Sequence, residues 1–170
     1  MLSSGLVMWG FGTFFNAVQT DFGESRGTVS FIYTALALSN AAAAVTTGRL
    51  SDRGHTGLVL TVSGLIGAAS IGLCSAAQDV FHLALLFIPV GAATGCTVPL
   101  AVSTVQRVFQ ARARAGLALA TVSSGIGLGA MVFAPLLSSI IITSGWRNAF
   151  LVAGALFLAL FAVGWAGIQF

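Results

Sequence analysis

Six apolar runs of roughly twenty residues or more follow one another along the chain, separated by short polar breaks. They cover about residues 2–20, 28–47, 58–77, 81–105, 115–142 and 148–168. A helix of about twenty apolar residues crosses the ~30 Å hydrocarbon layer of a bilayer. A spanning helix satisfies its own backbone groups, so each run is read as a transmembrane helix. A transmembrane barrel would show short alternating strands instead, and the sequence has none. The breaks carry matching signals. Gly23 is placed to cap the first helix, Ser25 or Thr28 to start the second, and Asp79 and Gly145 to mark further turns. The pattern predicts an all-α membrane protein.

Composition sharpens this picture. Only 6% of the 170 residues are charged and 57% are hydrophobic, with a mean hydropathy of +1.00. A soluble domain carries about 25% charge. Every charged residue falls at the end of a run or between runs, as the cost of burying charge in lipid requires. The seven basic residues are all Arg, and five of them (Arg49, Arg53, Arg107, Arg112 and Arg114) sit in two alternate loops. The other side holds Arg26 and Arg147 beside Asp21, Glu24 and Asp79. By the positive-inside rule the Arg-rich loops and both chain ends are expected to be cytoplasmic. The expected location is a membrane, read as a bacterial inner (plasma) membrane. Trp9, Trp146 and Trp165 lie near span ends, and Trp146 is read as an anchor at the lipid interface.

The net charge of +3 without a basic run excludes a nucleic-acid partner. No cofactor or metal is expected. "GIGLGA" (125–130) has the form of a dinucleotide fingerprint, but it lies inside an apolar helix without a preceding strand. An intramembrane serine protease needs a nucleophile and a base in reach of each other, and neither His55 nor His82 lies within a span. Cys74 and Cys96 are read as buried small residues at different depths. Met1 leads straight into apolar sequence, so no cleavable leader is expected and the native start is read as missing.

Small residues recur at four-residue spacing: Gly91 and Gly95, Gly125 and Gly129, and the run Ala41–Ala44. Such faces let helices pack closely, or slide during a conformational change. Pro135 lies in the longest run, beside the second glycine pair.

The segment "GRLSDR" (48–53) places three charges at the end of the second span. Arg49 and Arg53 suit the negative end of a helix dipole, whereas Asp52 needs a partner elsewhere. "GRLSDR" resembles the loop signature of the major facilitator superfamily between its second and third helices, through Gly48, Leu50, Asp52 and Arg53. His55, Gly57 and Leu58 stand where that signature has Gly and two basic residues. "DFGESRGTVS" (21–30), "RAGLALATVSSGIGLG" (114–129), "PLL" (135–137) and "GWRNAF" (145–150) resemble segments of the branch that includes monocarboxylate transporters and oxalate–formate antiporters.

The resemblance implies a fold of six transmembrane helices built as 3+3 inverted repeats, the N-terminal half of a twelve-helix transporter. It implies a cytoplasmic latch at Gly48, Asp52 and Arg53, with Asp52 reaching a helix of the other half. It implies a cavity lined by spans one, two, four and five. The polar candidates there are Asn16, Gln19, Tyr33, Asn40, Thr94, Thr97, Ser123 and Ser124. Each has a plainer alternative: an interhelical bond for the amides, a bond to its own i−4 carbonyl for Ser and Thr, and an interfacial position for Tyr33. The expected function is transport of a small solute, a small carboxylate in the resembling branch, by alternating access. The partners are the lipid bilayer, the solute, and either a C-terminal six-helix half or a second copy of the chain. A non-transporting membrane scaffold stays open.

Overall fold

The computed structural model describes residues 1–52, 56–109 and 115–168. Its elements are α1 (Leu2–Phe22), α2 (Arg26–Asp52), α3 (Thr56–Leu73), a 3-10 turn (Cys74–Ala76), α4 (Val80–Gly95), α5 (Thr97–Phe109) and α6 (Ala115–Ile168). Gly23, in the left-handed region at φ 65°, ends α1. The Thr28 amide donates to Ser25 Oγ at 3.2 Å and so caps the start of α2.

Four segments are long and apolar enough to cross a membrane: Arg26–Leu50, Thr56–Ala76, Val80–Gln106 and Gly116–Ala166. The expectation was six. Two physical reasons account for the difference. First, α1 carries Ser3, Ser4, Thr13, Asn16, Gln19 and Thr20, which dilute its apolar character. Second, the expected spans 115–142 and 148–168 are joined in one 54-residue helix. A straight helix of that length would reach about 80 Å, but Gly145 breaks it at φ 84°, ψ 161°. Only glycine adopts that backbone readily. We call residues 115–144 and 146–168 the two arms of α6.

The expected span 81–105 is divided into α4 and α5 at Cys96. Pro99 has no N–H to give the Gly95 carbonyl, so the ladder is interrupted there. Cys96 itself keeps helical angles, φ −73° and ψ −21°.

Packing fixes the directions of these rods. Leu36 and Ser39 of α2 meet Gly91, Asn40 meets Gly95, and Gly48 meets Pro99, so α2 runs parallel to α4 and α5. Leu2 meets Gly129, Gly5 meets Ile126 and Ala130, and Gly10 meets Leu137, so α1 runs parallel to the first arm of α6. Gly64 meets Phe161, Gly67 meets Phe157 and Gly72 meets Gly154, so α3 opposes the second arm. An aromatic chain ties the groups together. Phe14 stacks on Phe150 at 4.1 Å between ring centroids, and Phe87 meets Phe11 edge-on at 5.2 Å and Phe150 at 6.0 Å. Outside, Phe81, Met131 and Ile142 are exposed over more than 70% of their surface. Apolar faces of that extent belong against lipid or another protein surface.

Candidate functional site

At one end of the bundle, α1 is pinned to the start of the second arm. Trp146 Nε1–H donates to Asp21 Oδ2 at 3.1 Å. Arg147 Nη1 lies 3.3 Å from the same oxygen, and its guanidinium sits 4.3 Å from the centre of the Trp146 ring. Trp146 also meets Phe22 at 5.7 Å and Phe150 at 5.8 Å. Trp146 is 6% exposed. It is therefore an internal pin, not the lipid-interface anchor expected of it. The signal for this was in the sequence only as two separate marks, the acid ending span one and the aromatic–basic pair after Gly145. Nothing in one sequence joins them.

The expected cavity residues do not converge on one space. Asn40 and Thr94 come together: Asn40 Nδ2–H donates to Thr94 Oγ1 at 3.0 Å across α2 and α4. The Thr94 hydroxyl is already placed on the Val90 and Gly91 carbonyls at 3.1 and 3.0 Å. This pair is an internal tie beside the glycine contact, not an open solute site. Asn40→Leu is expected to remove only that tie, costing about 0.6 kcal/mol and leaving Thr94 satisfied. Denaturant titration in mixed micelles checks this, and a loss above about 2 kcal/mol would assign Asn40 a larger role.

Thr97 is buried, and its Oγ1 finds no partner among the described residues. It lines a cavity of about 520 Å³ with Met1, Leu100, Val122 and Leu160. Ser123 and Ser124 are exposed on the first arm, and Ser124 Oγ–H donates to the Thr121 carbonyl at 2.8 Å.

Asn16 differs from these. It is exposed on α1, on the side turned away from the bundle core, and Gln19 is half-buried. Asn16 shares an open space of about 520 Å³ with Ala17, Thr20, Asp21 and Trp146. The Thr20 hydroxyl donates to the Asn16 backbone carbonyl at 2.9 Å, and the Asn16 side-chain amide has no hydrogen-bond partner among the described residues. Tyr33 is exposed and faces a second open space with Trp9, Phe15, Ser30 and Thr34. Trp9 was read only as a span-end tryptophan. Its exposure beside Tyr33 is visible only once α1 and α2 are placed together.

Of the expected latch, Gly48 is half-buried next to Pro99. Asp52 is the last residue of α2, with Arg49 in its final turn. Arg53 lies outside the described residues, as do His55, Arg112 and Arg114. The glycine pairs have different neighbours. Added side chains at Gly91 and Gly95 would collide with the Leu36 and Asn40 carbonyls, and at Gly129 with the Leu2 carbonyl at 2.5 Å. Gly125 faces Met1. Pro135 lies inside α6 and is exposed. Cys74 and Cys96 are buried free thiols.

An almost wholly helical bundle with apolar outer faces is the architecture of an integral membrane protein. The family model of the Major Facilitator Superfamily matches residues 1–168, and the chain belongs to that family. It is similar to monocarboxylate transporter 11 of Homo sapiens, with 32% identity over 96% of this chain and 34% of that protein. It is also similar to monocarboxylate transporter 13 of Rattus norvegicus, with 28% identity over 93% of this chain and 37% of the relative. Monocarboxylate transporter 7 of Homo sapiens matches at 27% identity over 91% of this chain and 29% of the relative. The chain spans about a third of the length of these curated relatives. The family and these relatives are transporters, not enzymes, and the chain is an integral membrane segment that matches them.

Proposed function

We propose that the chain is the N-terminal six-helix half of a secondary transporter that carries a small monocarboxylate by alternating access. The observation that carries the reading is Asn16. Its uncharged amide lies exposed on α1, without a hydrogen-bond partner among the described residues. Such a group facing lipid is costly, so it belongs to a water-filled path or to the facing half. Six crossings are supported by the packing directions. A chain that reverses at each break, Gly145 included, makes α1 parallel to the first arm, α2 parallel to α4, and α3 opposed to the second arm. Both chain ends then lie on the Arg-rich side, which the positive-inside rule makes cytoplasmic.

The solute class comes from the names of the relatives. Every charge in this chain lies at or beyond a span end, so the countercharge for a carboxylate comes from the facing half, with the path between the two halves. A second copy of this chain as the facing half is the competing arrangement, and native mass measurement in lipid distinguishes it.

Uptake of a labelled three-carbon monocarboxylate by cells expressing the assembled transporter tests the reading. Asn16→Leu is expected to lower uptake about tenfold, equivalent to about 1.4 kcal/mol, at equal protein level. Unchanged uptake removes Asn16 from the path.

In the same reading Asp52 ends α2 as half of a latch to the facing bundle, and Gly48 and Arg53 complete it. Asp52→Asn is expected to weaken inward closure and so to increase labelling of cytoplasmic-side cysteines by an impermeant thiol reagent several-fold, in the range of one lost charge-assisted bond of about 1.5 kcal/mol. Labelling equal to the parent protein counts against the latch.

A further inference from the structure

An open cavity of about 420 Å³ lies between α1 and α2, walled by Trp9, Phe15 and Tyr33, with Gly12 among them and Ser30 and Thr34 on the α2 side. Gly12 adds room to it. A glycine inside a helix weakens it relative to alanine. Gly5, Gly91 and Gly95 serve a close approach, each against a neighbouring backbone, whereas Gly12, like Gly116 and Gly127, serves none. At Gly12 an added Cβ would meet nothing within 4 Å, and here that open position lies on the floor of the cavity.

The walls say what fits. Trp9 and Tyr33 expose 64% and 41% of their surfaces. Phe11, which also lines the space, stacks on Tyr33 at 6.2 Å between ring centres, with planes 28° apart. The Ser30 and Thr34 hydroxyls donate to the Arg26 and Ser30 carbonyls at 2.8 and 3.2 Å. Their protons are thus engaged, and their oxygens face outward as acceptors only. Among the described residues no cationic group lines the space, so none of them offers a carboxylate its countercharge here. A flat ring suits it well, because its faces match the aromatic walls and its positive edge suits the hydroxyl oxygens.

We infer that this cavity seats the aromatic ring of an aryl-substituted solute, with Trp9, Gly12 and Tyr33 as specificity-determining residues. The ring subsite rests on the cavity alone. That the solute is also a carboxylate rests on the transport reading above.

The test is equilibrium dialysis of the chain in lipid nanodiscs against phenylacetate, acetate, octanoate and benzyl alcohol. Phenylacetate is expected to bind at least tenfold more tightly than acetate or octanoate. Gly12→Leu, which fills the space, and Trp9→Ala, which removes a wall, each abolish that advantage. Gly12→Ala reduces it and serves as the folding control, since nothing lies within 4 Å to disturb. Benzyl alcohol binding that depends on Gly12, without phenylacetate binding, keeps the ring subsite and sinks the carboxylate reading. Equal binding of phenylacetate and acetate, unaffected by Gly12→Leu, overturns the subsite and leaves the transport reading intact. Tighter binding of octanoate than of phenylacetate, or no binding of any probe, also overturns the subsite.

Discussion

Gly95→Val is expected to force α2 away from α4 and to destabilise the bundle by about 3 kcal/mol. The first atom of any side chain at Gly95 would overlap the Asn40 carbonyl oxygen, and the Asn40 Cα lies only 3.0 Å from that point. These are backbone atoms of a helix and cannot rotate aside. The same shift would break the Asn40–Thr94 bond, which joins the same Asn40 to the residue preceding Gly95. Gly127→Ala is the matching control. It meets nothing within 4 Å, so it is expected to be neutral or to stabilise by about 0.5 kcal/mol through helix propensity. Denaturant-induced unfolding in mixed micelles measures both. A Gly95→Val protein as stable as its parent would show that α2 and α4 do not meet as closely as described.

Trp146→Ala is the second large effect, a loss of about 4 kcal/mol. It empties a buried volume, leaves the Phe150 edge without its ring partner, and takes the donor from Asp21. Trp146→Phe keeps most of the volume and loses the hydrogen bond, for about 1 kcal/mol. Arg147→Ala is expected to cost less than about 1 kcal/mol, because both members of its ion pair are about half exposed to water. The order Trp146→Ala, then Trp146→Phe, then Arg147→Ala tests whether packing or charge holds α1 to the second arm. If Arg147→Ala costs as much as Trp146→Ala, charge holds it.

The helical class was legible in the sequence because hydrocarbon leaves few options to a run of twenty apolar residues. Turn positions such as Gly23 and Gly145 were legible for a local reason, since each needs a backbone angle that glycine supplies. What one helix does to another was less so. The four-residue spacing of Gly91 and Gly95 marks a face but does not name α2 as its neighbour. The spacing of Gly125 and Gly129 does not name α1. Asn40 and Asn16 look alike in sequence, each an amide in an apolar run. One is spent on Thr94 and the other stands open, because α4 lies beside Asn40, whereas Asn16 borders an open space shared with Thr20, Asp21 and Trp146. Trp146 was misplaced for a related reason. Tryptophan at a span end suits both a lipid interface and a buried pin, and the choice depends on Asp21, 125 residues away. The division at Cys96 follows from Pro99 and was readable, but an apolar run of unbroken hydropathy concealed it.

In the function proposed above, the exposed polar side of α1 lines a water-filled solute path, not a lipid face. Substituted-cysteine labelling from the outside of intact membranes tests it most directly. An impermeant thiol reagent is expected to label Asn16→Cys and Thr20→Cys, to spare the outward apolar position Leu65→Cys, and to react more slowly when a small monocarboxylate is present. Labelling of Leu65→Cys with Asn16→Cys untouched would contradict the account, because it would place lipid where the path should be.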